Sequence, residues 1–334
     1  MWGKMKKRRL LQSGKIASEI GLGCMSFAGF YGPTDEKEAH DTLNMALDYG
    51  IDFLDTANVY GMGVSEKMIG NYIKKNGNPF IIATKASISR DPKTQQRTFD
   101  NSAAHLETEL NKSLERLSVD YVDLFYIHRR DQKIPIEEVM GTLLKLKKDG
   151  KIGGIGFSEI SPSSLRRASE IGVVDAVQSE YSLWTRSAEL GLIQTCEELG
   201  VSFIPFSPLG RGIFSQTPPD PSNFGELDFR KNNPRFMEPN FNKNLELLAP
   251  FKEFCAEIGV LPSTLAIAWT LKQAKHILPI PGTRSSSHLV ELALGSEFEL
   301  TDEISDQINS FLPIGWAHGE RYSDDQWVGI EKFC

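Results

Sequence analysis

The sequence predicts an α/β protein, a (β/α)8 TIM barrel with an N-terminal hairpin and an extra C-terminal helix and tail. Eight short apolar runs alternate with helical patterns along the chain, and this alternation is typical of a parallel sheet whose strands are joined by helices. The alternative is an open doubly wound sheet, which usually carries a GxGxxG turn after an early strand. The nearest match, GLGCMS from Gly21, lacks the third glycine, so the closed barrel is favoured.

The elements follow in order along a single predicted domain, residues 1–334. A Ser13-Gly14-Lys15 turn between two short runs predicts the N-terminal hairpin. Strands are predicted at residues 20–27, 51–56, 80–85, 121–128, 154–158, 176–179, 202–207 and 277–281. Helices are predicted at residues 36–49, 65–75, 102–117, 136–149, 163–171, 188–199, 244–258 and 263–273. Thr34-Asp35-Glu36 is typical of a helix start, and Gly150 and Gly200 are typical of helix ends.

Two segments interrupt the alternation. Residues 214–243 form a long stretch rich in proline, asparagine and glycine, and a loop of that length within a compact domain is usually functional or disordered. Residues 313–334 form a tail with two tryptophans, Trp316 and Trp327. The tail is expected near the mouth of the active site.

The bulk properties exclude several functional classes. The chain has 334 residues and a formal net charge of −7, which argues against a nucleic-acid binder because such proteins need a concentrated positive surface. No stretch has the length and apolarity of a membrane span, and no apolar core follows the basic residues near the N-terminus as a signal peptide requires. The 4 cysteines and 6 histidines show no zinc-finger, HxH or HExxH spacing. We therefore expect a cytoplasmic protein without a metal site.

Polar residues stand where three neighbouring strands are expected to end. One strand reaches Asp55, the next ends in Lys85 (FIIATK), and the next ends in His128 (YVDLFYIH). Tyr60 follows Asp55 on a loop that contains two glycines. The carboxyl ends of parallel barrel strands converge on one face. We therefore expect the four side chains to meet there, with Asp55 and Lys85 as an ion pair.

Proton donation to a carbonyl oxygen is the chemistry that this group suits. A free tyrosine titrates near ~10, and a neighbouring ammonium is expected to lower that pKa by favouring the phenolate. Asp55 would keep Lys85 charged, Tyr60 would donate the proton, and His128 would orient the oxygen. Each residue alone has an ordinary structural interpretation as an ion pair, a satisfied histidine or a packed tyrosine. Their joint position favours catalysis.

Longer motifs resemble the aldo-keto reductase superfamily. They are DTANVYG from Asp55, ATK ending at Lys85, YIHR ending at Arg129, and then GKIGGIGFSE, AVQSEYS, FIPFSPLGRG and PIPGTR. They follow the family order over nearly the whole chain. The tail motif GERY and the segment EYSLWTR resemble the bacterial and plant branch that contains pyridoxal reductases and broad aldehyde reductases.

The resemblance implies reduction of a small aldehyde or ketone with NADPH, with Tyr60 as general acid in a tetrad with Asp55, Lys85 and His128. Ser158 and Gln178 would hold the nicotinamide carboxamide, and residues 214–243 would fold over the cofactor. The implied cofactor contacts are Met25, Asp55, Ser158, Gln178, Phe206, Ser207, Leu209, Gly210, Gly212, Gly282, Thr283, Arg284, His288 and Glu291.

Some residues depart from the family pattern. Glu159 stands where many members have asparagine, and its carboxylate accepts hydrogen bonds but cannot donate one to the carboxamide oxygen. His288 replaces a common arginine, and Leu292 replaces the asparagine that usually contacts adenine. These changes leave the strictness of NADPH over NADH open. We expect NADPH to be preferred, because Arg284 offers a planar fork suited to a phosphate.

Aromatic residues in the predicted loops and tail are candidates for the substrate pocket, and ordinary packing is the equal alternative. They are Phe27, Phe30, Tyr31, Trp184, Trp316 and Tyr322. They suggest an apolar, aromatic carbonyl compound. Pyridoxal is a candidate that rests on the branch resemblance alone, and the sequence gives no oligomeric state.

Two other functional classes stay open at this level. The first is an NADPH-binding redox sensor or regulatory subunit with slow turnover, because the superfamily includes potassium-channel β-subunits that keep the tetrad. The second is a phosphosugar-type barrel enzyme without a nicotinamide. Consumption of NADPH with aldehydes separates the enzyme from the sensor, and a binding titration with NADPH tests the barrel without a nicotinamide.

Overall fold

The computed structural model describes residues 5–90, 96–226 and 228–332. Its strands, in chain order, are β1 (Lys7–Arg9), β2 (Ile16–Ser18), β3 (Leu22–Gly23), β4 (Phe53–Asp55), β5 (Ile81–Ala86), β6 (Ile88–Arg90), β7 (Arg97–Phe99), β8 (Val122–Ile127), β9 (Ile152–Ser158), β10 (Ala176–Glu180) and β11 (Ser202–Phe206). Its helices are α1 (Glu36–Asp48), α2 (Val64–Asn76), α3 (Ala103–Leu117), α4 (Ile136–Lys148), α5 (Pro162–Ile171), α6 (Leu192–Leu199), α7 (Asn240–Glu257), α8 (Pro262–Lys272), α9 (Ser286–Glu297), α10 (Asp302–Phe311) and α11 (Asp324–Trp327).

The barrel is a parallel sheet that closes through an irregular eighth segment. Within the described residues, seven strands are ordered β11-β10-β9-β8-β5-β4-β3. Residues 277–282 then bridge to β11 at Ile277 and to β3 at Gly282, both in parallel. Pro279 and Pro281 have no N–H to donate, so this segment closes the ring without a regular ladder. The predicted eight-membered barrel is confirmed.

The N-terminal hairpin closes one end of the barrel. β1 and β2 pair antiparallel, as the predicted turn requires. Leu10 and Leu11, just beyond β1, are buried in one cluster with barrel residues such as Leu124 and Tyr126, whereas Phe125 belongs to the cluster that includes the helices. This alternation follows the period of two along a strand. The carboxyl ends of the strands are left to form the opposite face.

Helix ends largely follow their sequence signals. The Asp35 side chain accepts a hydrogen bond from the backbone N–H of Glu38 and caps α1. Gly200 ends α6 with φ 68°, a left-handed conformation that glycine adopts without strain. Among the described residues no single helix has the length and composition to cross a membrane, although α7 and α8, bent by 95°, pass that test as a pair.

Several predicted boundaries are corrected by the structure. The first strand is short, because a 3-10 turn replaces it from Cys24 to Ala28. The antiparallel hairpin of β6 and β7 was not predicted. The predicted loop at residues 214–243 contains 3-10 turns, and its last residues already belong to α7. The C-terminal part contains α9, α10 and α11, where the sequence predicts one extra helix and a tail.

Candidate active site

A cavity of about 1300 Å³ opens at the carboxyl ends of the barrel strands. The cavity is lined by Asp55, His128, Ser158 and Phe206, which lie at or just after the ends of β4, β8, β9 and β11, and by Gln178 within β10. Their convergence is what a parallel barrel imposes on residues at this register. The cavity continues as a groove towards the start of α9.

A buried ion pair adjoins the cavity through Asp55. Lys85 on β5 has no exposed side-chain surface, and its Nζ is paired with Asp55 Oδ1. The same ammonium donates to the Thr56 carbonyl at 2.7 Å and to the Tyr60 hydroxyl at 3.3 Å. Gln178 Nε2 donates to the second carboxylate oxygen of Asp55 at 2.8 Å. Every charged atom of the pair therefore has a partner, as burial demands.

Tyr60 is fixed by a tight turn between β4 and α2. Gly61 has φ 60°, and a Cβ there would lie 3.0 Å from Ala28 Cβ, so the turn requires glycine. The Tyr60 ring packs edge-on against His128, with centroids 5.9 Å apart, and against Phe30 at 6.3 Å. The hydroxyl reaches the ammonium at the rim of the cavity, as the motif predicts.

Burial dominates the protonation of the site. It raises the pKa of Tyr60, although Lys85 opposes the rise. The ammonium does lower this pKa, as expected, but desolvation of the phenolate outweighs the attraction, so the net change is a rise. Burial, together with Arg129 and Lys85, holds the pKa of His128 well below its usual range. The imidazole is thus neutral, and its Nδ1 has no hydrogen-bond partner within the described part of the chain.

Most residues that the resemblance assigns to the cofactor line the cavity. Those that line it are Met25, Asp55, Ser158, Gln178, Phe206, Ser207, Leu209, Gly212, Gly282, Thr283, Arg284, His288 and Glu291. Gly210 lies in the same turn, buried, with φ 54°, and a Cβ there would lie 2.7 Å from Ile213 Cγ2. Gly210 and Gly212 carry no Cβ, so the backbone of this turn suits close approach of a pyrophosphate.

The remaining parts of the groove also fit a nicotinamide dinucleotide. Phe206 is half-buried and presents a ring to the cavity. Ser158 Oγ accepts a hydrogen bond from Arg129 Nη1 at 3.0 Å, which leaves the hydroxyl proton of Ser158 available as a donor. At the far end Arg284 lines the groove, with its Nη1 bound to the Tyr31 carbonyl.

Glu159 has a different role from the one that its position suggests. Its carboxylate is completely buried and is held by both terminal nitrogens of Arg321, at 3.1 and 2.7 Å. Arg321 and Arg129 outweigh the effect of burial and lower the pKa of Glu159 to about 2. Glu159 therefore binds the C-terminal tail, and its carboxylate is not oriented for the nicotinamide carboxamide.

The structure divides the aromatic candidates for the pocket wall into two groups. Phe30, Tyr31 and Tyr322 line the cavity. Phe27, Trp184 and Trp316 instead lie in the hydrophobic core, which corrects the expectation that these three form the wall.

The contacts of the two tryptophans explain why they lie in the core and not in the pocket wall. Trp184 and Trp316 stack with ring centroids 6.3 Å apart, and Trp316 Nε1 donates to the Leu183 carbonyl at 2.6 Å. They pack the tail against the barrel, which was the alternative interpretation.

Sequence reasoning missed several residues of the cavity. Arg129, Met62, Ile88 and Phe229 also line it. Arg129 is 7% exposed, and its Nε has no hydrogen-bond partner among the described residues. Its position directly after His128 was the signal available for it.

A parallel barrel with a buried Lys–Asp pair, a tyrosine hydroxyl on the ammonium and a long groove beside them is typical of barrel oxidoreductases. The chain belongs to the aldo/keto reductase family, whose profile matches residues 19–313. The resemblance drawn from the motifs is thereby confirmed.

Relatives and solved structures agree with this membership. The chain is 36% identical over 308 residues to an aldo-keto reductase of Schizosaccharomyces pombe, yakc, whose name specifies NADP(+), and the match covers 91% of each protein. It is also 36% identical to the probable aldo-keto reductase 1 of Glycine max, over 97% of this chain and 93% of that one. The glycerol dehydrogenase AKR11B4 from Gluconobacter oxydans superposes with a TM-score of 0.82 at 28% identity, over 92% of this chain and 94% of that one.

Proposed function

We propose that the protein reduces an aldehyde or ketone to the alcohol, with NADPH as hydride donor and Tyr60 as general acid. The observation that carries the proposal is the position of the Tyr60 hydroxyl, 3.3 Å from the buried Lys85 ammonium and on the surface of the cavity. A phenol in that position can transfer a proton to an oxygen bound in the cavity.

The residues of the site divide the work as follows. When bound in the groove, NADPH would supply a hydride to the carbonyl carbon. Tyr60 donates its proton to the carbonyl oxygen as negative charge develops there, and Lys85 stabilises the phenolate that is left. Because burial raises the pKa of Tyr60, the hydroxyl is protonated before the reaction. The neutral His128 orients the carbonyl oxygen through a hydrogen bond.

The groove beside Tyr60 supports NADPH as the cofactor. Ser158 and Gln178 would hold the carboxamide, and Arg284 would bind the 2′-phosphate through its guanidinium. The name of the Schizosaccharomyces pombe relative, which specifies NADP(+), supports the same choice.

Residues 214–243 would cover the bound cofactor. Phe229 and Arg230, within that segment, line the cavity. The Phe229 N–H donates to the Phe30 carbonyl at 3.4 Å, and the Arg230 guanidinium lies 5.1 Å from the centre of the Tyr31 ring. The segment thus crosses the groove to the loop after β3, which supports a strap over the cofactor.

The test is a panel of aldehydes and ketones that includes pyridoxal, with loss of NADPH absorbance as the readout. The parent protein is expected to oxidise NADPH with at least one member of the panel. Tyr60→Phe should lower kcat by about 10²–10⁴-fold, the range typical of a lost general acid. Its dissociation constant for NADPH, measured by fluorescence titration, should be unchanged because the groove is intact.

Tyr121→Phe is the matched control, because Tyr121 precedes β8 at the other end of the strand and is 39% exposed. Its kcat should equal that of the parent. Equal turnover by Tyr60→Phe and the parent would refute the role given to Tyr60. Tight NADPH binding without turnover on any carbonyl compound would favour the sensor, and no NADPH binding would refute the proposal.

A further inference from the structure

A second cluster of buried charges lies beside the cavity, outside the tetrad. Its centre is the pair of Glu159, just after β9, and Arg321 in the tail, which are joined by two parallel hydrogen bonds. The side chains are 0% and 5% exposed. A two-pronged pair of this kind fixes orientation as well as distance.

The cluster joins three separate segments of the chain. Arg211, in the turn after β11, donates to Glu180 Oε2 at 2.8 Å and to the backbone carbonyl of Arg321 at 2.9 Å. Asn233, in the segment over the groove, donates to the same carbonyl at 2.6 Å. The backbone at Arg321 is therefore held from several directions, by groups that are themselves buried.

The residue after Arg321 is Tyr322, whose ring lines the cavity. The ring centre lies 5.0 Å from the Arg211 guanidinium and 4.9 Å from that of Arg321, within the range of cation–π attraction. Phe229 packs edge-on against it, with centroids 6.3 Å apart. The place of Tyr322 in the wall thus depends on the charges behind it.

The backbone conformation of Glu159 indicates that a glutamate is present here because of the contacts of its side chain. Its φ is 57°, a left-handed conformation that costs a residue with a long side chain free energy. Burying the carboxylate adds a desolvation penalty. Contacts of the carboxylate with Arg321 and with the backbone N–H of Glu180 offset these costs.

We propose that Glu159 and Arg321 are positioning residues that form a latch between the barrel and the tail, and that the latch sets substrate size by fixing Tyr322 in the cavity wall. This role rests on the proposed carbonyl reduction. With the latch closed, Tyr322 restricts the room for bulky carbonyl compounds. With the latch broken, the tail moves, bulky compounds gain access, and small ones lose a packing surface.

The first experiment compares kcat/KM for naphthaldehyde and propanal, and the dissociation constant for NADPH, in five variants. Glu159→Gln and Arg321→Met break the latch, the double variant removes both charges, Arg321→Lys keeps the charge without the fork, and Tyr322→Ala removes the wall. The ratio of the two kcat/KM values should shift about tenfold or more towards naphthaldehyde in both single variants and in Tyr322→Ala. In the double variant this ratio should shift no further than in Glu159→Gln or Arg321→Met alone. In Arg321→Lys the shift in the ratio should be intermediate. The affinity for NADPH should stay close to that of the parent in all five variants.

The matched control is Arg8→Met at the closed end of the barrel. Arg8 is also mostly buried and ion-paired, with Nε 2.9 Å from Glu19 Oε2. This variant should lower Tm but leave the substrate ratio unchanged, so that general destabilisation is separated from positioning. An unchanged ratio in the latch variants would overturn the proposal. A loss of NADPH affinity in Glu159→Gln that Arg321→Met does not share would also overturn it, since Glu159 would then act on the cofactor.

Hydrogen exchange provides a second test of the latch that does not depend on turnover. Amides of residues 319–331 should exchange faster in Glu159→Gln and Arg321→Met than in the parent, and no faster in Arg8→Met. If the parent reduces no carbonyl compound, the proposed function fails, and the exchange data still decide the latch. Unchanged exchange in both latch variants would refute the latch, whatever the activity.

Discussion

Two buried clusters of charge lie at the same end of the barrel, and they differ in the group that each presents to the cavity. The pair of Lys85 and Asp55 supports a phenol whose proton is available, because the Tyr60 hydroxyl is 3.3 Å from the ammonium. The pair of Arg321 and Glu159 supports the ring of Tyr322, which is buried but for one face on the cavity. Both pairs carry a desolvation cost.

The difference shows that a buried ion pair near a cavity does not identify a catalytic centre by itself. What separates the two clusters is the neighbour that the cation touches. Both cations pair with a carboxylate. Lys85 also donates to an ionisable hydroxyl, whereas the backbone carbonyl of Arg321 takes donors from a second arginine and an asparagine. We therefore expect only the first cluster to take part in proton transfer, and the second to fix the position of Tyr322.

The largest expected effect is that of Lys85→Met, which breaks the cluster to which we assign the chemistry. Removal of one partner of a buried pair typically costs about 3–5 kcal/mol of stability, because the other charge is left without a partner. Asp55 is 2% exposed, so water replaces little of the lost contact. Urea unfolding should show that loss, and kcat should fall by about 10²-fold or more because the phenolate is no longer stabilised.

The double variant Asp55→Asn/Lys85→Met sharpens this test. It should recover much of the stability, since no uncompensated charge remains, without recovering activity. Arg167→Gln, which breaks an exposed pair with Glu137, should change stability by less than about 1 kcal/mol. Full activity of the double variant would show that the ion pair serves only the fold.

A smaller effect is expected when pH is changed. In kcat, this pH dependence should come from the first cluster alone. In the proposed mechanism Tyr60 acts in its protonated form, and burial raises its pKa. The rate of reduction should therefore be constant through neutrality and fall only above the usual range of a tyrosine, about pH 10. The pKa of His128 lies well below its usual range, so no inflection should occur between about pH 6 and about pH 8. A pH–kcat profile at saturating substrate checks both statements.

Two outcomes would contradict this assignment. A fall in kcat that begins near neutral pH would mean that the Tyr60 pKa is lowered, as the sequence alone suggests. A fall below about pH 7 that disappears in His128→Gln would mean that the histidine titrates in its ordinary range.

The sequence predicts the cluster around Lys85 because Asp55, Lys85 and His128 lie at or next to strand ends, and the register of a parallel barrel fixes where strand ends meet. The order of the barrel strands follows from the same alternation. The hairpin of β6 and β7 was missed because its residues are mostly polar (ISR and RTF), without an apolar run. The eighth strand was found by its apolar residues, but Pro279 and Pro281 make it irregular.

Other features depend on burial and on side-chain direction, which a single sequence does not specify. Trp184 and Trp316 are as consistent with a pocket wall as with a core, until their mutual stacking is seen. The pKa of Tyr60 depends on a balance between desolvation and the attraction of an ammonium. Only the structure shows how strongly the Tyr60 hydroxyl is desolvated. The partner of Glu159 lies 162 positions away in the sequence, too far for a local pattern to reveal.

The smallest expected effect is the contribution of the second cluster to the pH dependence of the free energy of unfolding. The pKa of Glu159 in the folded protein is lowered to about 2, below its value in an unfolded chain. Its contribution is therefore complete above the unfolded pKa of about 4.3 and is lost as pH falls from there towards 2, by at most about 3 kcal/mol. Glu159→Gln has no proton to bind, so its free energy of unfolding should depend less steeply on pH in that window. Glu115→Gln, an exposed carboxylate on α3, should keep the slope of the parent. Urea unfolding at pH 3, 4 and 5 measures the slopes, and equal slopes for Glu159→Gln and the parent would show that Arg321 does not hold an ionised carboxylate.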